Sequence, residues 1–188
     1  MKGMPIPPFA HKHSLNAVTA AFFGLAIWRL GLSPELPAVL AFIFGGVLLA
    51  VIDWRVHRLP TKIIYYTLAG VFGGLIFASV VERDWVPLAT AVIGGLLFTN
   101  AFFLIWVFTT KFSGMVFLGF GDVRLAGLLG VVLGWHGLPF VLYGAIAGHL
   151  LAVVVVAATC IHKRNLQMQY SFGPPLIAGT LAVVLMSA

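Results

Sequence analysis

The sequence predicts an all-α fold, a polytopic transmembrane bundle of six to seven helices with one of them short or re-entrant. Composition, the spacing of apolar runs and the placement of basic residues all lead there. Of the 188 residues, 61% are hydrophobic and 9% charged, and mean hydropathy is +1.08. A soluble domain needs roughly 25% charged residues to keep its surface wet, so most of this surface must face something other than water. A soluble, all-apolar helical core is the alternative reading of the same composition. The length is better counted as spans of about 20 residues joined by short loops, in a single integral-membrane domain covering 1–188.

Seven apolar segments follow in order: Leu15–Leu32, Leu36–Ile52, Ile63–Val81, Val86–Phe108, Val123–Gly134, Leu138–Ile161 and Gly173–Met186. The first follows a basic start (Lys2, Lys12), yet it is long for a signal core and no small-x-small cleavage pattern follows, so it reads as a retained span. Ser33-Pro34, Leu59-Pro60, Glu82-Arg83-Asp84 and Trp135-His136-Gly137 before Pro139 supply the breaks. The fifth segment is too short to cross a hydrocarbon core of about 30 Å alone; it either extends upstream through Met115–Gly121 or is partly re-entrant. Glycines four apart (Gly70 with Gly74, Gly130 with Gly134, Gly144 with Gly148) make flat patches on which a second helix can approach.

Orientation follows from counting. With the amino terminus in the cytoplasm, Lys2, Lys12, Arg55, Arg58, Lys62, Lys111, Arg124, Lys163 and Arg164 fall inside, nine of eleven Lys and Arg. Only Arg29 and Arg83 fall outside, as the positive-inside rule requires, and the carboxyl terminus then lies outside. The net charge of +6 arises from these scattered residues rather than from a dense basic run, so no nucleic-acid partner is expected. The lone Cys160 excludes an intrachain disulfide and a multi-cysteine zinc site; it reads as a small apolar packing residue.

The same threading sorts the acids. Glu35, Glu82 and Asp84 fall in outer loops as solvated groups, whereas Asp53 closes the second span and Asp122 opens the fifth, both at the cytoplasmic side. An ionisable group at the membrane boundary is costly and points to function. If the two helices are neighbours, the carboxyls face each other and share a proton. One can then take a proton from water while the other polarises a peptide carbonyl. Asp122 follows Gly119-Phe120-Gly121, glycines that let the backbone turn and a substrate strand approach. The tetrapeptide alone fits a helix start equally well, with an aspartate cap and no chemistry.

The run VIDWRVHRLPTK around Asp53 resembles the first signature of the prepilin peptidases, GFGDVRL resembles their GxGD signature, and YSFGPPLIAG resembles their Phe-Gly-Pro element opening the last helix. The three occur in family order, and the resemblance covers about Leu36 to Ala182. It implies a membrane-embedded helical bundle in the inner membrane with Asp53 and Asp122 as catalytic aspartates. It implies as substrates prepilins or pseudopilins, cut at the cytoplasmic face after a short basic leader usually ending in glycine, with no metal or other cofactor. Gly119, Gly121, Arg124, Arg58, Pro60, Gly173 and Pro174 become substrate-binding or supporting residues. Thr61 stands where many members have asparagine and Arg124 where lysine is usual; both keep hydrogen bonding or charge. Many bacterial members carry a cytoplasmic methyltransferase insert with paired cysteines, and the sequence instead resembles the short, peptidase-only members.

Other polar residues have plainer readings. His149 and Asn100 are expected to bond neighbouring helices, His11 and His13 to lie in a solvated amino terminus, and His57, Arg55, Arg58 and Lys62 to be ordinary inside-positive residues that also raise the potential near Asp53. Phe172-Gly173-Pro174-Pro175 also fits a bare helix start. Two alternatives belong to other classes. A small proton-coupled transporter would put its carboxylates near the midplane and often show an internal repeat; neither feature is present. A non-catalytic pilin-assembly protein would share every motif. Presenilin-like proteases, which share GxGD, carry Tyr-Asp and Pro-Ala-Leu, whereas here Ile52 precedes Asp53 and that tripeptide is missing. The sequence leaves oligomeric state open.

Overall fold

The structure, a computed structural model, describes residues 12–56, 59–113, 119–163 and 172–187. Among them are seven helices and no strand: α1 (Lys12–Leu30), α2 (Leu36–Val56), α3 (Thr61–Glu82), α4 (Val86–Phe108), α5 (Phe120–Trp135), α6 (Leu138–Lys163) and α7 (Gly173–Ser187). Thr109–Ser113 continues α4 as a π-helical turn. Each expected segment is a helix, and the breaks fall where turn chemistry placed them. Arg83 takes a left-handed conformation (φ 56°) to end α3, Asp84 Oδ1 accepts from the Val86 amide at 2.9 Å to start α4, and Gly137 (φ 122°) turns the chain between α5 and α6. Gly137 occupies a conformation that side chains rarely tolerate, which is glycine's use.

Four described helices are long and apolar enough to cross a membrane, α2, α3, α4 with its extension, and α6 up to Ala158. They leave Tyr66, Phe77, Leu96, Leu104, Leu142 and Val153 exposed, a surface suited to lipid rather than water. The chain is thus a multi-pass membrane protein. α1, α5 and α7 are shorter. For α5, 16 residues span about 24 Å at 1.5 Å per residue, less than the hydrocarbon core. Its place in the bundle explains this. From Leu128 to Trp135 every residue is buried, so protein rather than lipid surrounds that stretch and its length need not match the bilayer. The expected upstream extension adds only Phe120–Asp122; 114–118 lie outside the described residues.

α5 is held on α4 by glycines. A Cβ on Gly94 would stand 2.7 Å from the Gly130 carbonyl oxygen, one on Gly130 would stand 2.5 Å from the Gly94 oxygen, and one on Gly134 would stand 2.6 Å from the Thr90 oxygen. The Gly130/Gly134 patch expected from spacing therefore meets a second one, Gly94-Gly95, across the interface. Gly74 likewise lies against the backbone of Ala38, and Gly148 against Leu176 and Gly179. α2 and α5 meet mainly through α3 and α7 rather than by direct packing.

Two expectations need correcting. Asn100 and His149 do not reach neighbouring helices with their polar atoms: Asn100 Nδ2 donates to Leu96 O at 2.8 Å, and His149 Nδ1 bonds Ala145 O at 2.7 Å. Both are exposed, and the His149 ring meets α4 only as an aromatic neighbour of Phe102, with centroids 5.8 Å apart. Glu35 is no solvated loop acid either. Only partly exposed, it accepts a hydrogen bond from Trp135 Nε1. Burial pushes its carboxyl above the ordinary value of 4.5, and the Trp135 bond partly offsets that. Glu82 and Asp84 are exposed, as expected.

Candidate active site

Asp53 lies in the last turn of α2 and is 6% exposed. A buried carboxylate needs donors, and α7 supplies one: the Gly173 amide donates to Asp53 Oδ2 at 3.1 Å. Sequence chemistry explains why α7 begins there. Pro174 and Pro175 have no N–H to leave unsatisfied and suit a first helical turn. Gly173 opens the helix and directs its amide, at the positive end of the helix dipole, toward the carboxylate. A Cβ at this position would stand 2.6 Å from Asp53 Oδ2, so the approach requires glycine. Phe172 O accepts from Leu176 N at 3.3 Å and closes the first turn.

Asp122 is the third residue of α5. Its Oδ2 accepts from the Gly119 amide at 3.0 Å, and its own amide donates to Gly119 O at 3.0 Å. The aspartate therefore does close the helix start, reaching back from the first turn rather than standing before it. Neither glycine of GFGD has positive φ, so backbone freedom is not their use. A Cβ on Gly121 would stand 3.0 Å from Leu59 Cβ: this glycine lets the start of α5 press against the Leu59-Pro60 segment before α3. One Cβ on Gly119 would meet Asp122 Oδ2 at 3.3 Å.

Arg124 ties the same two segments together. Its guanidinium donates to Thr61 Oγ1 and lies over the Phe120 ring, 4.8 Å from the centroid, an arrangement favouring a planar cation. Trp106 of α4 meets Phe120 edge-on at 5.3 Å. Pro60 stands just before α3 and its carbonyl receives the amides of Ile63 and Ile64 at 3.1 and 3.3 Å. Leu59, Phe120 and Trp106 were missed by sequence reasoning, and for Leu59 the only signal was its place beside Pro60. Arg58 and His57 lie outside the described residues, as do His11 and the side chains of His13 and Cys160.

The structure brings Asp53, Gly173 and Pro174 together on α2 and α7, and Gly119, Gly121, Asp122, Arg124 and Pro60 together on α5 and the entry to α3. The carboxyls of Asp53 and Asp122 are within electrostatic reach of each other. Beside Asp53 runs a cavity of about 290 Å³ between α1, α2 and α7, lined by apolar side chains including Phe22, Phe42, Val51, Trp54 and Pro174. Among the described residues no three His, Cys, Asp or Glu side chains converge.

The model of the type IV leader peptidase family matches residues 40–161, a stretch containing Asp53 and Asp122. A prepilin leader peptidase/N-methyltransferase of Dickeya chrysanthemi is 37% identical over 175 residues, 91% of this chain and 57% of that protein. Proteins with the same name from Pseudomonas putida (31% identity; 92% and 58% covered) and Klebsiella pneumoniae (34%; 73% and 57%) also match. The chain thus spans under three fifths of the length of these relatives. No solved structure matches it.

Proposed function

The chain belongs to the type IV leader peptidase family, and from that premise we propose that it is an intramembrane aspartyl endopeptidase cutting the basic leader from prepilins or pseudopilins. Asp53 and Asp122 are its catalytic pair. The observation carrying this reading is that two carboxyls from distant parts of the chain come within electrostatic reach at one end of the bundle, each anchored through one oxygen to a backbone amide, of Gly173 and Gly119 respectively.

On this reading the pair works with one carboxyl ionised and the other protonated, as two carboxylates facing one site do. The ionised carboxyl removes a proton from water as the water oxygen attacks the scissile carbonyl carbon. The protonated carboxyl hydrogen-bonds the carbonyl oxygen and gives it its proton, so the tetrahedral intermediate forms without a free oxyanion. Collapse returns the oxygen's proton to one carboxylate, the other passes its own to the departing amine, and the C–N bond breaks. General acid–base assistance of this kind is worth about 10²–10⁴-fold.

Arg124, through Thr61 and Phe120, fixes the start of α5 on which Asp122 sits, while Pro60 holds the entry to α3 against it. Gly173 and Pro174 fix the start of α7 beside Asp53. The basic residues Arg55, Lys62 and Lys111 near this end support a site at the cytoplasmic face of the inner membrane, by the positive-inside rule. The direct test uses the full chain reconstituted in liposomes with a prepilin-type substrate, read by mass spectrometry. Release of the leader at one peptide bond is expected. An intact substrate beside folded protein would overturn the reading.

A further inference from the structure

The contact between Glu35 and Trp135 lies at the opposite end of the bundle from the two aspartates, and it joins the two helices that carry them. Glu35 stands immediately before α2, its carbonyl receiving the amides of Ala38 and Val39 at 3.0 and 3.2 Å, and Asp53 lies in the last turn of the same helix. Trp135 is the last residue of α5, and Asp122 lies in its first turn. The Trp135 indole N–H donates to Glu35 Oε2. Trp135 is 8% exposed, and a buried donor left unpaired is costly.

Little else joins these helices directly, since α2 and α5 meet mainly through α3 and α7. On its other side α5 lies on α4 by a glycine face, where Gly94, Gly130 and Gly134 bring backbone against backbone. Such a face permits close approach, with Val131 seated at Gly95 and Thr99 at Gly127, and it fixes α5 against α4 rather than against α2. A helix is stiff, so a shift at one end of α5 appears at the other, about 20 Å away at 1.5 Å per residue. Between the two helices at this end remains a narrow space lined by Ala38, Val39, Val71, Leu75 and Val132, with no other polar side chain in that lining except Glu35, Trp135 and His136.

We propose that Glu35 is a positioning residue: its hydrogen bond to Trp135 sets the axial register of α5 against α2 and thereby the separation of Asp53 and Asp122 at the far end. The inference rests on the protease reading above and deepens it. It gives Glu35 a task where the sequence alone suggests a solvated loop acid.

The test compares Glu35→Ala, Glu35→Gln and Trp135→Phe with Glu82→Gln as a control, all in full-length protein in liposomes. Glutamine keeps an oxygen that accepts from the indole; alanine does not. Loss of the bond is expected to lower kcat about tenfold with KM changed less than about twofold, because small misplacements of reacting groups act on the chemical step. Glu35→Ala and Trp135→Phe should each show this loss and their combination no more, while Glu35→Gln restores kcat to within about twofold of the parent. A second readout is independent of activity: spin labels at Val56 and Phe120, in a Cys160→Ser background, report the separation of the α2 and α5 ends that carry the aspartates. Their distance distribution should shift or broaden in Glu35→Ala and return in Glu35→Gln. An unchanged distribution in Glu35→Ala, an unchanged kcat, or equal loss in the alanine and glutamine variants would each overturn the proposal. Cleavage that survived Asp53→Asn would instead remove the protease reading and leave the distance result standing.

Discussion

At Gly173 one missing methyl group decides whether a buried carboxylate is satisfied. The amide that reaches Asp53 Oδ2 at 3.1 Å belongs to a residue whose Cβ would stand 2.6 Å from that same oxygen. Gly173→Ala should therefore push α7 away and weaken the bond. A hydrogen bond to a charged group contributes roughly 1.5–3 kcal/mol, so activity should fall on the order of tenfold or more with the protein still inserted. Leader cleavage measured against membrane level checks this, and parental activity in Gly173→Ala would mean the bond does not matter. The pairing of Asp53 with Gly173 was not legible: resemblance marked Gly173 only as a substrate-binding or supporting residue, 120 positions separate the two, and a Phe-Gly-Pro-Pro run also suits any helix start. Arg124 with Thr61 was legible as two departures that kept polar character, but not as partners. Glu35 with Trp135 was not legible at all: a loop glutamate and a tryptophan near a membrane boundary are each ordinary alone, and nothing local joins residues 100 positions apart.

Helix existence and order were readable because a span must be long, apolar and interrupted by turn residues, and all three leave local marks. Helix contacts were half readable. Gly130 and Gly134 were visible by spacing, but their partner Gly94 became visible only once α4 and α5 were seen back to back. Gly94→Leu should be poorly tolerated, because its side chain would meet the Gly130 carbonyl; overpacking of this kind costs about 1–3 kcal/mol. The thermal midpoint in detergent should drop clearly, whereas Gly73→Leu, where a Cβ meets nothing within 4 Å, should shift it little. Equal midpoints for the two variants would contradict backbone-to-backbone packing. Glu35 gives a pH-dependent companion. Its carboxyl titrates above its ordinary 4.5 in the folded protein, so folding binds its proton more tightly. The stability this contributes is full below pH 4.5 and is lost as pH rises through the folded value. Glu35→Gln, neutral throughout, should match the parent near pH 4 and exceed its thermal midpoint at pH 7. A lower midpoint at pH 7 would show that the charged form is favoured after all.

For the whole molecule, the proposed orientation rests on nine basic residues against two. A reporter active only outside the cytoplasm should work when fused after Ala188 or placed between Glu82 and Asp84, and should be silent near Arg58 or Arg164. The reverse pattern would put the aspartates on the wrong side for a cytoplasmic leader.

Chemistry at the two carboxyls is tested most directly by Asp53→Asn, Asp122→Asn and the double variant, each scored for leader removal from a co-expressed prepilin and for its level in the membrane. Asparagine keeps shape and hydrogen bonding while removing ionisation, and a neutral amide avoids the cost of a charge at the membrane boundary. All three proteins should therefore accumulate normally. Each single variant should abolish cleavage, and the double should be no worse than either, because groups sharing one proton act as a unit. A normally accumulated Asp53→Asn or Asp122→Asn protein that processed its substrate at near the parental rate would contradict the account.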